Sequence, residues 1–206
     1  MRSKRLLKIQ LIHLSQKTFN KSQHVRPFGP GPRYARPVCE ALYESHLENL
    51  MQELPALNWI VDYLEKCEIP YLVCGGLAAQ AYGSSRALAD IDIYVPHRYI
   101  NQISNMGNKY ITFGPAHHVG EKWDLTYVQF EVGGQKVEIG SDSECKIFDS
   151  CSGEWHQKII NFERYSVISV YGKPIRIMAK DDLIAYKKKL SREVDLEDIR
   201  QISHFV

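Results

Sequence analysis

Three absences bound this 206-residue sequence. No apolar run approaches the roughly 20 residues needed to cross a bilayer as a helix, so the chain reads as soluble, with no membrane partner. No C-x-x-C pair occurs. The five cysteines (Cys39, Cys67, Cys74, Cys145 and Cys151) are odd in number and scattered, so neither a zinc knuckle nor a disulfide framework is indicated. A reducing, cytoplasmic setting is the simplest account of free thiols. Acidic residues are missing from the start: up to Arg36 there are nine Lys/Arg and no Asp or Glu. No internal repeat stands out.

That last absence divides the chain. Removing the nine bases, and Glu40, Glu44 and Glu48, from totals of 26 and 24 leaves 17 basic against 21 acidic residues from Met51 onward. A mildly acidic body over 51–206 therefore follows a basic extension over 1–50. Stretches such as "RPFGPGPRYARP" are too rich in Pro and Gly to pack, which predicts that the extension is flexible in part. It has several readings: a tail, an arm holding nucleic acid through phosphates, an imitation of an organelle transit peptide, or sequence upstream of a true start at Met51.

The body has enough length for one sizeable core. A helical pattern runs from about 38 to 50. "LNWIVDYLEKCEI" follows as an amphipathic helix, with Leu57, Ile60, Val61 and Leu64 at helical spacing and Pro70 as its stop. "YLVCG" reads as a short strand and "LAAQAYG" as a short helix closed by Gly83. "DIDIYV" is a strand with Asp90 and Asp92 on one face and Ile91 and Ile93 on the other. "HRYINQISNMG" reads as helix, and "YITFG" and "DLTYVQFEVGGQKVEIG" as strands, with Gly133-Gly134 as a tight hairpin turn that makes "KVEIG" an antiparallel neighbour. Residues 141–164 give no clear pattern. "YSVISVYGKPIRIMA" suggests another hairpin, and "KDDLIAYKKKL" and "VDLEDIRQISHF" two terminal helices. The sum is an α+β domain with a mixed β-sheet flanked by helices.

The chemistry concentrates in "CGGLAAQAYGSSRALADIDIYVP", residues 74–96. Aspartate is a poor strand former and is almost never fully buried without a partner. Two carboxylates two residues apart on a strand point the same way, with Cα atoms only about 6.6 Å apart. Each raises the other's pKa unless a cation sits between them. Magnesium, a hard ion that takes oxygen ligands, suits such a pair, and in nucleotidyl transfer carboxylates hold ions that clamp the attacking and leaving oxygens. Glu138, in "QKVEIGSD", is placed to be the third carboxylate if it faces the same side, with Asp142 as a competitor for that role. Gly75 and Gly76 lie between strand and helix, where the missing Cβ lets a triphosphate approach free backbone N–H groups. Arg86 offers a fork to phosphate oxygens or tethers an aspartate.

"GGLAAQAYGSSRALADIDIYV" resembles the core motif of the nucleotidyltransferase superfamily, in the form of the minimal and AbiEii-like nucleotidyltransferases. "DDLIAYKKKLSREVDLEDIRQI" resembles their C-terminal signature, a lysine-bearing helix followed by Asp and then Asp-Ile; the matching positions are Lys187, Asp195 and Asp198. The likeness spans roughly residues 58–202 and omits the basic extension. It implies a nucleotidyltransferase-like fold and transfer of a nucleoside monophosphate from a nucleoside triphosphate, ATP among the donors, to an acceptor hydroxyl. Asp90, Asp92 and Glu138 would be the catalytic and metal-binding carboxylates for Mg2+, one ion or two. Gly75, Gly76, Arg86 and Lys187 would bind the nucleotide. The third carboxylate is usually aspartate in the family; here it is glutamate, one methylene longer. Relatives modify antibiotics, tRNA ends or proteins, and some act in toxin–antitoxin pairs, so the resemblance puts a cognate toxin or antitoxin among the partners it implies. The basic extension tilts the acceptor toward RNA. The rival reading is a catalytically inactive module that keeps the fold and grips a nucleotide or partner.

Plainer readings stand beside these. The Asp pair would be harmless on a solvated edge strand, the Gly pair a simple turn, Glu138 an exposed hairpin residue, and Lys187, Lys188 and Lys189 a solvated face. His117 and His118 read as loop histidines that cannot ligate jointly, and Trp59, Trp123 and Trp155 as core or rim aromatics.

Overall fold

The computed structural model describes residues 53–203, so the basic extension and the helix expected near 38–50 lie outside the described residues. Helix α1 (Pro55–Lys66) begins with proline at its first turn and buries Leu57, Ile60, Val61 and Leu64. It ends earlier than Pro70 suggested. Glu68 adopts a left-handed φ of 51°, and the N–H groups of Glu68 and Ile69 donate back to the carbonyls of Glu65 (3.1 Å) and Leu64 (2.9 Å). That is the helix-ending motif usually built on glycine, here on a glutamate, which no sequence pattern announced.

The chain continues through β1 (Leu72–Val73), α2 (Gly75–Ala81), β2 (Asp90–Val95), a 3-10 turn, α3 (Ile100–Met106), β3 (Ile111–Val119), β4 (Trp123–Val132) and β5 (Gln135–Ser141). After these come β6 (Lys146–Asp149), β7 (Glu154–Gln157), β8 (Tyr165–Val170), β9 (Lys173–Met178), α4 (Lys180–Leu190) and α5 (Glu193–Ser203). Among the described residues the strands form one mixed sheet in the order β7-β6-β4-β5-β2-β1-β9-β8, with β3 pairing β4. The α+β reading holds.

The Gly133-Gly134 hairpin forms as expected. Both glycines have positive φ (60° and 81°), which the tight two-residue turn between Val132 and Gln135 requires. The unpatterned stretch 141–164 contributes two short strands, β6 and β7, paired antiparallel from Lys146↔Gln157 to Asp149↔Glu154. His117 and His118 are strand residues rather than loop residues, because β3 stays paired with β4 out to Val119↔Asp124.

Strand β2 lies inside the sheet, antiparallel to β1 and parallel to β5. The edge-strand reading of Asp90 and Asp92 is thereby removed. On one face Ile91, Ile93, Val128, Phe130, Val137 and Ile139 are buried. Trp59 of α1 reaches this face and packs edge-on against Phe130 at 5.3 Å. The other face carries the aspartates and Tyr94. Tyr186 of α4 closes over its far end, with Trp123 Nε1 donating to the Tyr186 hydroxyl at 2.8 Å.

Candidate active site

The parallel register of β2 and β5 sets Asp92 directly across from Glu138, and Asp90 across from Lys136. Residues paired across a sheet share a face, so Asp90, Asp92 and Glu138 project to the same side. Strand β4 extends that face, since Gln129 pairs with Glu138. Thr112 Oγ1 donates to Gln129 Oε1 at 2.7 Å, and Gln129 Nε2 donates to Glu138 Oε1 at 2.8 Å. This relay fixes both the Gln129 amide and one Glu138 oxygen. Asp142 is placed elsewhere, past the end of β5, where its Oδ1 accepts from the His97 N–H at 2.9 Å.

The glycine turn is built around Asp92. Cys74 N–H donates to the Asp92 carbonyl at 2.9 Å, bringing the start of α2 against β2. Gly75 has φ +62°, and a Cβ on it would fall 1.7 Å from Asp92 Oδ2. Only glycine fits there, on conformation and on space together. A Cβ on Gly76 would meet the Arg86 guanidinium at 2.7 Å.

The electrostatics follow from burial and crowding. Burial first, then the charges of Asp90 and Glu138, push Asp92 from an ordinary 3.8 up to about 7, against the pull of the Lys187 and Arg192 cations. Burial, and then the Glu138 charge, also raise the Tyr127 phenol. The site is short of positive charge. Three hard oxygen donors on one face suit a divalent ion of the magnesium kind. Their side chains do not close into a cage: among the described residues no three His, Cys, Asp or Glu groups converge as a metal ion requires.

Arg86 tethers an aspartate, but that aspartate is Asp198 and neither Asp90 nor Asp92. Its Nε and Nη2 donate to the two Asp198 oxygens at 3.3 and 3.2 Å. Lys187 is not on a solvated face. It is 1% exposed, and its Nζ donates to Asp198 Oδ2 at 2.8 Å and Asp195 Oδ1 at 3.3 Å. Ser84 Oγ donates to Asp198 Oδ1 (2.7 Å), and Arg192 grips Asp195 (2.7 and 3.1 Å). Burial opposes the Asp198 charge, but the bonds from Arg86, Lys187 and Ser84 outweigh it and hold the carboxyl below its usual range. The C-terminal signature is thus an ionic lock joining α4 and α5 to the loop after α2. It still reaches the site, because Lys187 and Arg192 act on Asp92 across space. Sequence reasoning missed Gln129, Ser84 and Arg192; of these, Gln129 alone had a signal, the period-2 alternation that puts it on the face of Glu138.

No family model and no curated protein matches the chain. Solved structures do resemble it, two of them as follows. One is a Thermotoga maritima protein provisionally described as a nucleotidyltransferase, 20% identical, with a TM-score of 0.57 over 71% of this chain and 89% of that one. The other is the lincosamide antibiotic adenylyltransferase LnuA with lincomycin bound, 14% identical, with a TM-score of 0.51 over 75% of this chain and 99% of that one. At such identities the likeness is one of fold and does not reach a subfamily. The body of the chain has the nucleotidyltransferase fold.

Proposed function

We propose that the protein is a magnesium-dependent nucleotidyltransferase that moves a nucleoside monophosphate from a nucleoside triphosphate to an acceptor hydroxyl. The observation that carries this reading is the Asp92–Glu138 register beside Asp90, with Gly75 cut back to make room for the Asp92 carboxylate. Asp90, Asp92 and Glu138 would hold the metal, which when bound would supply the positive charge that nucleotidyl transfer needs. The triphosphate lies beside the Gly75–Gly76 turn, next to the Asp92 carboxylate that Gly75 accommodates. Lys187 acts from behind, anchoring the α4–α5 lock and tempering the Asp92 charge. The protein's own share is positioning and charge neutralisation. The acceptor belongs to small molecules, proteins or RNA. The adenylyltransferase likeness favours a small molecule, and the basic extension favours RNA, with ATP as the first donor to try and a toxin–antitoxin pairing as one setting.

A second reading has its own support. Glu138 is longer than aspartate, and one of its oxygens is occupied by Gln129. These features favour a nucleotide-binding module without turnover. Thermal-shift titration with each nucleoside triphosphate, with and without Mg2+, tests both. At about 100 times its dissociation constant a ligand adds about 2.7 kcal/mol, or several degrees for a chain this size. Magnesium-dependent stabilisation lost in Asp92→Asn supports a working donor site. Subsequent transfer of label from an α-labelled triphosphate separates enzyme from module. No shift with any triphosphate removes both readings of the site.

A further inference from the structure

A cleft lies between the strap 158–164, which follows β7, and helix α4, with none of the three carboxylates in its lining. Its volume is about 340 Å3, within the range of small-molecule pockets. Among its lining residues is Lys158, only 8% exposed. The Lys158 backbone N–H donates to the Cys145 carbonyl at 2.8 Å, which pins the strap. Its ammonium has ring faces for neighbours, 3.8 Å from the Tyr186 centroid and 5.4 Å from that of Tyr94. Among the described residues it makes no hydrogen bond and no ion pair.

Every candidate counter-ion is otherwise committed. Burial pushes the nearby Cys145 thiol up, so it stays neutral. Asp182 accepts from Arg164 Nε at 2.7 Å. Ring faces return about 2 kcal/mol to a desolvated cation, less than the several kcal/mol that its burial costs. The same burial lowers the ammonium's own pKa. The cleft adds Arg164 and Lys189 to Lys158, against Asp182 alone, and its remaining walls include Ile147, Ile160 and Met178.

A buried, uncompensated cation beneath apolar walls has one matching chemistry. We infer that this cleft binds a small organic anion, a carboxylate or phosphate monoester on an apolar body, with the anionic head on Lys158. Arg164 and Lys189 attract the head, and the aliphatic walls take the body. The inference does not depend on the reading of the Asp90–Asp92–Glu138 site.

Isothermal titration of the full chain tests it, with neither nucleotide nor Mg2+ present, using octanoate, hexyl phosphate, inorganic phosphate and hexan-1-ol. Saturable binding of octanoate or hexyl phosphate is expected, the stronger of the two naming the head group. Hexan-1-ol should bind at least about tenfold more weakly, since a buried charge pair is worth more than that. Lys158→Met, which keeps the volume and removes the charge, should lose at least about tenfold, whereas Asp92→Asn should bind as wild type does. Should Lys158→Met not fold, Arg164→Gln at an exposed position and Lys189→Gln at a half-buried one carry the test: anion binding weakens and alcohol binding does not. The inference is overturned by equal binding of hexan-1-ol, by unchanged binding in Lys158→Met, by inorganic phosphate matching hexyl phosphate, or by no binding of either organic anion at millimolar concentration.

Discussion

Replacing Asp92 by asparagine should stabilise the metal-free protein while abolishing transfer. In the native state Asp92 titrates at about 7 instead of 3.8, because it is buried beside Asp90 and Glu138. Between those values the folded chain holds a proton that the unfolded chain has released. Stability therefore falls as pH rises from about 4 to about 7, by at most about 1.4 kcal/mol per unit and about 4 kcal/mol in all. Partial exposure and sharing of the proton among the three carboxylates reduce this to about 2–4 kcal/mol. Urea denaturation in a chelator should show wild type less stable at pH 8 than at pH 5 by about 1–3 kcal/mol, since pH 5 already lies a unit above the unfolded value. The Asp92→Asn curve should be nearly flat and lie above wild type at pH 8. Millimolar Mg2+ should raise the wild-type curve at pH 8 and leave the variant unmoved. Parallel pH profiles for the two proteins, or equal response to Mg2+, would refute the view that Asp92 is held in a field awaiting a cation.

Two further outcomes follow from the geometry. Gly75→Ala places a left-handed residue, costing about 1–2 kcal/mol, and drives a methyl group into Asp92 Oδ2. The melting temperature should drop and any Mg2+-dependent nucleotide shift should vanish; a variant that melts and binds like wild type would show that the turn has slack. Lys187→Met leaves Asp195 and Asp198 short of a buried cation and should cost about 3–5 kcal/mol by urea titration. Arg86→Gln, at a side chain 26% exposed, should cost less; equal losses would argue against Lys187 as the centre of the lock.

The chemistry of the Asp92 face was legible because it depends on short-range pattern. Alternation along "DIDIYV" assigns the two aspartates to one face whatever the strand pairs with, and Gly133-Gly134 can turn a hairpin with little help from the rest of the chain. Helix α1 and the terminal helices were equally readable, since an apolar stripe recurs with each turn. The early end of α1 was not, because Glu68 takes a left-handed conformation normally signalled by glycine.

What the sequence determined by itself is a set of local geometries: which residues share a strand face, where the chain turns, and which carboxylates need compensation. Tertiary structure alone decided their partners. Nothing in local pattern says that Asp92 stands opposite Glu138 in a parallel register, that Arg86 closes on Asp198 more than 100 residues away, or that Lys158 is buried against two tyrosines without a counter-ion. The physical reason is range. Backbone periodicity is set by neighbours within a few residues, whereas pairing, burial and charge compensation are sums over groups that come together only when the sheet closes.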